Sequence, residues 1–310
     1  MQWPSVLERE FGAVFQRNKE LGTYTTWKVG GEAEFFCCPR EEKSLALIFK
    51  VRSEHGFPLW ILGGGSNVLI SDKGLKGLVL YTRGLDSVLF EEKGNGYVEC
   101  ILGAGVVLSY WLREAYAKEL GGSEFLTGIP GTIGGALMGN AGSRERYIGE
   151  LVQWVETIEQ NGERIRYEGK EIVWAYRFCS LSDSLRVISR CSILLRKSDQ
   201  ATIRENLLHH VNLRRGQPHN AKTAGCVFKN PPGGFAGELL DRAGCKGMRC
   251  GDAVVSLRHA NFIENRGNAR AADIVALIEK CRHRVYEACG VLLEPEVRFL
   301  GDEWGFWTKD

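Results

Sequence analysis

Fifteen consecutive residues, Gly128-Ile129-Pro130-Gly131-Thr132-Ile133-Gly134-Gly135-Ala136-Leu137-Met138-Gly139-Asn140-Ala141-Gly142, hold six glycines. Residues without Cβ let consecutive backbone N–H groups turn toward one point, and a diphosphate is the common ligand that needs such a cradle. A second segment of this kind stands upstream, Leu62-Gly63-Gly64-Gly65-Ser66-Asn67-Val68-Leu69-Ile70-Ser71-Asp72. Two cradles imply one long ligand held by two lobes. Neither segment reads as G-x-G-x-x-G opening a helix after a strand, and no Walker lysine follows. For any single glycine, a turn or close packing remains the ordinary alternative.

Outward from these segments the apolar residues change period repeatedly. Leu45, Leu47, Ile48 and Val51 fall at helical spacing over 41–56, and Pro58-Leu59-Trp60-Ile61-Leu62 reads as a strand entering the first glycine cluster. Strands at 78–81, 86–92 and 97–102, a turn at Gly94-Asn95-Gly96 and a helix over 106–119 lead to the second cluster. Beyond it come a hairpin over 151–168 turning at Asn161-Gly162, a strand at 186–196 and a charged helix over 198–216. The last hundred residues read as a loop at 219–234, a helix at 235–243, strands near 253–264, a helix at 271–289 and a strand at 291–299. Ile274, Ile278, Cys281 and Val285 give that last helix one core-facing stripe. This mixture predicts an α+β chain rather than a doubly wound sheet. At 310 residues it exceeds one average domain, and the expected divisions are 1–81, 82–205 and 206–310 with a C-terminal tail.

Glycine, 38 of 310 residues, is well above its usual share of about 7%, whereas a net charge of +2 and eight prolines argue against disorder. No basic run marks a nucleic-acid groove, so nucleic acid is not an expected partner. Neither a signal peptide nor an apolar run of membrane-spanning length stands out, which predicts a cytoplasmic protein without a membrane partner. Ten cysteines show no C-x-x-C pair and no zinc spacing. They read as mostly buried, reduced thiols, and no metal is expected.

Four motifs in order, the two glycine segments, Ala224-Gly225-Cys226-Val227-Phe228-Lys229-Asn230-Pro231 and Leu293-Glu294-Pro295-Glu296-Val297-Arg298-Phe299, resemble the UDP-N-acetylenolpyruvoylglucosamine reductases. The resemblance runs from about residue 20 to residue 301. It implies noncovalent FAD in a two-lobed domain of the vanillyl-alcohol-oxidase (PCMH) type, followed by a smaller α+β domain for the UDP-sugar. It implies NADPH as electron donor, and reduction of an enolpyruvyl ether to a lactyl ether in peptidoglycan precursor synthesis. NADPH and the enolpyruvyl nucleotide would then use one cleft in turn, giving ping-pong kinetics. A sugar or alcohol oxidase on the same scaffold, and a catalytically silent flavin-binding protein, are the competing readings; oligomeric state stays open.

Hydride arriving at C3 of the enolpyruvyl group puts negative charge on C2 and its carboxylate, so the site needs a cation, a hydrogen-bonding acid and a proton donor. By the resemblance these are Arg177, Glu296 and Cys226. Cys226 is the chief departure, standing where most members place serine. A thiol of ordinary pKa about 8.5 is a much stronger acid than an alkyl hydroxyl, so the exchange preserves proton donation. Outside the family, Arg177 reads as a surface or salt-bridge cation, Cys226 as a small buried residue and Glu296 as a strand-edge carboxylate paired with Arg298. For FAD the resemblance assigns Gly63, Gly64, Gly65, Ser66 and Asn67, with Gly128, Pro130, Gly131, Thr132, Gly134, Asn140, Ala141 and Gly142. Lys229 and Asn230 are assigned to the UDP-sugar, with Arg214 and Lys222 as further diphosphate candidates. His259-Ala260-Asn261-Phe262-Ile263 reads as structural. A tyrosine-bearing loop that one branch of the family inserts over the substrate has no room in 178–205, which points to the branch without it.

Overall fold

The computed structural model describes residues 2–143 and 145–302. The expected C-terminal tail lies, from residue 303, outside the described residues. Among those described, no helix is long and apolar enough to cross a membrane.

The chain divides into two compact units, neither contiguous in sequence. The first comprises Met1–Gln16, Phe36–Gly64 and Val79–Arg215. Its main sheet is antiparallel and runs Arg164–Glu168, Val152–Ile158, Val187–Lys197, Tyr97–Gly103, Val88–Gly94, with Leu120–Gly121 beside Val187–Lys197. Asn95 and Gly96, both at positive φ, close the last hairpin, because two left-handed residues match the twist of the flanking strands. The expected hairpin at Asn161-Gly162 also forms, with Gly162 at φ +83°. The central strand is buried almost continuously, and helices Glu42–His55 and Ile133–Met138 both pack on it.

Two carboxylates sink into this sheet. Glu156 is 3% exposed and receives Arg190 Nε at 2.6 Å and Arg166 Nε at 3.0 Å. Burial alone would raise its pKa, but hydrogen bonds and charge from Arg190 and Arg166 prevail and hold it below the usual carboxylate value. Glu99 is treated likewise. Burial is outweighed by Lys93, Ser192 and the Trp154 indole.

The second unit comprises Arg17–Phe35, Gly65–Leu78 and Gly216–Asp310. Its core gathers around helix Ala271–Cys289, whose Ile274, Ile278, Cys281 and Val285 are buried as the stripe predicted, against Trp27, Leu69, Phe228 and Phe299. Trp27 is tied at both ends. Its indole donates to Ile263 O at 2.7 Å, and its carbonyl accepts from Asn265 Nδ2 at 3.0 Å. Asp72, the last residue of the first glycine segment, caps the same helix by accepting from Ala271 N at 2.7 Å and Ala272 N at 3.0 Å.

The structure differs from the pattern in places. A short helix, Ile133–Met138, does start inside the second glycine segment, capped by Thr132; six residues are too few for a periodic signal. The strand expected at 291–299 shrinks to Arg298–Leu300, paired parallel to Val68–Ile70, since Pro295 has no N–H to offer a ladder. Helix Trp3–Phe11 and strands Phe15–Glu20 and Glu32–Cys37 were not anticipated; both strands enter a four-stranded sheet with Leu75–Tyr81 and Leu59–Leu62.

Candidate active site

In the first unit the two glycine segments meet backbone to backbone. A Cβ on Gly64 would stand 2.6 Å from Gly131 Cα, and one on Gly63 would stand 2.8 Å from Thr132 Oγ1. Glycine is therefore required at Gly64 by contact between the loop backbones, whereas at Gly63 a side chain would have to displace the Thr132 hydroxyl. Gly131 has φ +117° and Gly128 φ +83°, while Gly128 and Pro130 remain exposed. Gly134 and Gly142 are buried against neighbouring backbone, where a Cβ would come 3.1 Å from Ala104 O and 2.1 Å from Arg146 O respectively. Ala141 exchanges backbone hydrogen bonds with Ala136 and Ile148. In the second unit Gly65, at φ +62°, has Tyr24 O 2.0 Å from its would-be Cβ and accepts from Thr26 N. Ser66 follows half-buried, and Asn67 Nδ2 donates to Glu296 O at 3.1 Å. Exposed backbone beside glycines pressed too close for any side chain fits a diphosphate-bearing cofactor such as FAD.

Asn140, one of the flavin candidates, has its side chain bonded to the protein's own backbone. Buried at 1% exposure, it accepts from Gly149 N at 3.1 Å and donates to Ala175 O at 2.9 Å. Ala175 belongs to a tight hairpin, Trp174–Ala175 with Phe178–Cys179, whose two-residue tip is Tyr176-Arg177. Trp174 fits over Gly149, where a Cβ would come within 2.4 Å of the indole, and donates to Gly169 O at 3.1 Å. Arg177 sits in the left-handed region, φ +55°, with Nε buried and its guanidinium 5.5 Å from the Tyr176 ring. A non-glycine residue held there stores strain that favourable surroundings must offset.

The second unit brings Cys226 and Glu296 onto neighbouring backbones. Glu296 N donates to Val227 O at 2.7 Å, and Lys229 N donates to Glu294 O at 2.9 Å, with a bridge between Phe228 and Pro295. On the other flank Cys226 bridges Phe262, and Val227 N donates to Asn261 O at 2.9 Å. Cys226 is half-buried, and Glu296 Oε2 is closed off from solvent. A thiol, a carboxylate and the end of the first glycine segment thus share one assembly.

Asn261 is the residue the sequence undersold. Its buried amide accepts from Phe228 N at 2.9 Å and donates to Phe228 O at 2.8 Å, so it grips the backbone two residues from Cys226. An asparagine among apolar strand residues was the available signal. His259 keeps a structural setting, with Nδ1 accepting from Asn261 N and its ring edge-on to Phe262. Of the sugar candidates, Lys229 pairs with Glu294 at 2.6 Å, and Asn230 Oδ1 accepts from Ala236 N at 3.0 Å. The Lys222 side chain is exposed. Arg214 lies in the first unit, where its Cδ is 3.4 Å from the would-be Cβ of Gly128 and its guanidinium donates to Phe125 O.

Comparison with known proteins agrees with this geometry. A family model described as FAD binding domain matches residues 33–168, and one described as UDP-N-acetylenolpyruvoylglucosamine reductase, C-terminal domain, matches 217–300. The UDP-N-acetylenolpyruvoylglucosamine reductase of Heliobacterium modesticaldum is 38% identical over 301 residues, covering 96% of this chain and 95% of that protein. That of Moorella thermoacetica is 40% identical over 286 residues, covering 92% and 93%. The crystal structure of UDP-N-acetylenolpyruvylglucosamine reductase from Thermus caldophilus matches with a TM-score of 0.77 at 33% identity, covering 93% of this chain and 98% of that one. A variant of Phl p 4, a glucose oxidase, shares the fold alone, with a TM-score of 0.52 at 15% identity over 64% of this chain and 45% of that one. By sequence and by fold, the chain belongs to the UDP-N-acetylenolpyruvoylglucosamine reductase family.

Proposed function

We propose that this FAD-dependent oxidoreductase uses NADPH to reduce UDP-N-acetylglucosamine enolpyruvate to UDP-N-acetylmuramate in the cytoplasm, supplying peptidoglycan precursor. When bound, FAD would supply the hydride chemistry, from N5 to C3 of the enolpyruvyl group. Gly63, Gly64, Gly128, Gly131 and Thr132 would hold it, together with Gly65, Ser66 and Asn67. The Cys226 thiol gives its proton to C2 and is reprotonated from solvent. Glu296 stands beside the developing enolate, where a carboxyl group shielded from water donates or shares a proton. The Arg177 fork takes the substrate carboxylate, whose planar pair of oxygens it matches. Lobes at 1–81 and 82–205 for FAD, and a domain at 206–310 for the UDP-sugar, complete the proposal.

The observation that carries it is the backbone pairing of Val227 with Glu296, with Asn67 on the same carbonyl strand segment. It gives the only protic thiol of the motif and the motif carboxylate a shared, rigid support. An anaerobic titration tests the reading. NADPH should bleach the yellow protein, and the enolpyruvyl nucleotide should restore its colour. Cys226→Ala should bleach normally and recolour about 10²- to 10⁴-fold more slowly, the usual worth of a positioned proton donor, whereas Cys226→Ser should recolour. Unchanged recolouring in the alanine variant would remove Cys226 from the reaction; bleaching without recolouring in the parent protein would remove the substrate.

A further inference from the structure

Helix Gln200–Leu213 carries two adjacent histidines that take no part in the proposed reaction. The rings of His209 and His210 have centroids 5.0 Å apart and stand nearly perpendicular, at 77°. Glu145 sits in a turn closed by Ser143 N donating to Arg146 O, and its carboxylate is 3.4 Å from His209 Nε2. One ligand atom from each of the three lies within 4.8 Å of the others.

Ligands about 2.05 Å from a tetrahedral zinc ion stand roughly 3.4 Å apart, so the Glu145–His209 edge already has the length a metal requires. The remaining vertex closes by a shift of about an ångström, which side-chain torsions supply. Glu145 and His209 are each 53% exposed and have room to make that shift. His210 is different. It is only 9% exposed, and its Nδ1 is enclosed without a hydrogen-bond partner among the described residues. A polar atom in that position costs free energy that a ligand would recover.

The charges around His210 do not forbid a cation. Burial first, and then the charge of His209, lower its pKa, and Arg214 adds to this, while Glu145 and Glu124 act the other way. Arg146 is committed elsewhere, with Nε 3.0 Å from Glu150 and its guanidinium over the Phe125 ring.

We infer that Glu145, His209 and His210 form a divalent-cation site of the zinc type, with a fourth position left to water. Two imidazoles and a carboxylate are ligands zinc accepts, and an open vertex would make the site exchangeable. Binding would fasten the turn that follows Gly142 to helix Gln200–Leu213. Neighbouring histidines match no zinc spacing, and Glu145 arrives from 64 residues away, so no motif marks the site.

The test uses the full-length flavoprotein after dialysis against EDTA, titrated with zinc in competition with a chromogenic chelator and then with cobalt by visible spectroscopy. One zinc per chain is expected, with cobalt bands of nitrogen and oxygen ligation. His209→Ala and Glu145→Gln, both at half-exposed positions that leave the fold intact, should each weaken zinc by at least the roughly 10- to 100-fold seen for lesser, outer-shell partners. Zinc should raise the melting temperature of the parent protein and not that of His209→Ala. Equal affinity in parent and variants, thiolate-to-cobalt charge transfer, or no binding below millimolar zinc would each overturn the site.

Discussion

The Arg177 hairpin and the Cys226–Glu296 assembly offer charged or protic side chains by opposite means. Arg177 stands at the tip of a six-residue hairpin, and its support comes from Asn140, Gly149 and Gly169. Cys226 and Glu296 depend on four chain segments, around residues 67, 227, 261 and 296, that meet only in the folded second unit. A local turn localises damage; an assembly of distant segments shares it. Substitutions that remove one strut from each should therefore differ in size and in reach.

The largest effect is expected from Asn261→Ala, which strips partners from both Phe228 N–H and Phe228 C=O in a buried setting. At about 1–3 kcal/mol for each unsatisfied group, the loss is roughly 2–6 kcal/mol, measured by denaturant unfolding. Alkylation of Cys226 by iodoacetamide, followed by mass spectrometry, should quicken in the same variant. If stability falls by less than about 1 kcal/mol, the assembly does not rely on that amide. Asn140→Ala comes next. Ala175 is exposed and its carbonyl can turn to water, so only Gly149 N is left stranded, and the cost is about 1–3 kcal/mol. Cys226 alkylation should stay at the parent rate, which separates the two regions.

Acid sharpens the comparison without a mutation. Glu156 and Glu99, both in the unit of Arg177, are held below their usual value because arginine and lysine contacts outweigh burial. A depressed carboxylate contributes stability that is present above its unfolded value, near 4.5, and is lost as pH falls through the lower folded value. In the unit of Cys226, Asp273 is depressed chiefly by the Arg270 backbone N–H, but it caps only the first turn of its helix, where local fraying costs little. Hydrogen exchange below pH 4.5 should therefore open the Val187–Lys197 sheet before helix Ala271–Cys289. Simultaneous opening would show that the two carboxylates do not govern acid sensitivity.

Legibility in the sequence follows the same divide between local and assembled. The long helices, the Asn95-Gly96 and Asn161-Gly162 turns, and the buried stripe of Ala271–Cys289 were readable because period and turn chemistry act over a few residues. Helix Ile133–Met138 was hidden by its brevity and its glycines, and strand Phe15–Glu20 by a polar run, Gln16-Arg17-Asn18-Lys19, with no apolar alternation. The motif residues Arg177, Cys226 and Glu296 are singled out by resemblance alone. What the resemblance did not supply was who holds them: Asn140 bonded to Ala175, and Asn261 closed on Phe228 from 33 residues away. Such bonds leave no periodic trace, since either partner is an ordinary polar residue until the backbone brings the other within 3 Å.

The smallest effect on stability is also the most discriminating. Arg177→Gly relieves a left-handed residue of about 1–2 kcal/mol of steric cost, and glycine's extra freedom in the unfolded chain takes back about 0.5–1 kcal/mol. Stability should therefore stay level or rise by up to about 1.5 kcal/mol in denaturant unfolding, while turnover of the enolpyruvyl nucleotide collapses and NADPH still bleaches the flavin. Arg177→Lys restores the charge but not the planar fork and should recover only part of the rate. A functional side chain kept at a conformational cost predicts this opposition of sign. If Arg177→Gly instead loses stability in step with activity, the guanidinium is a strut of the hairpin, and the contrast between a local, strained donor and an assembled, relaxed one fails at its first term.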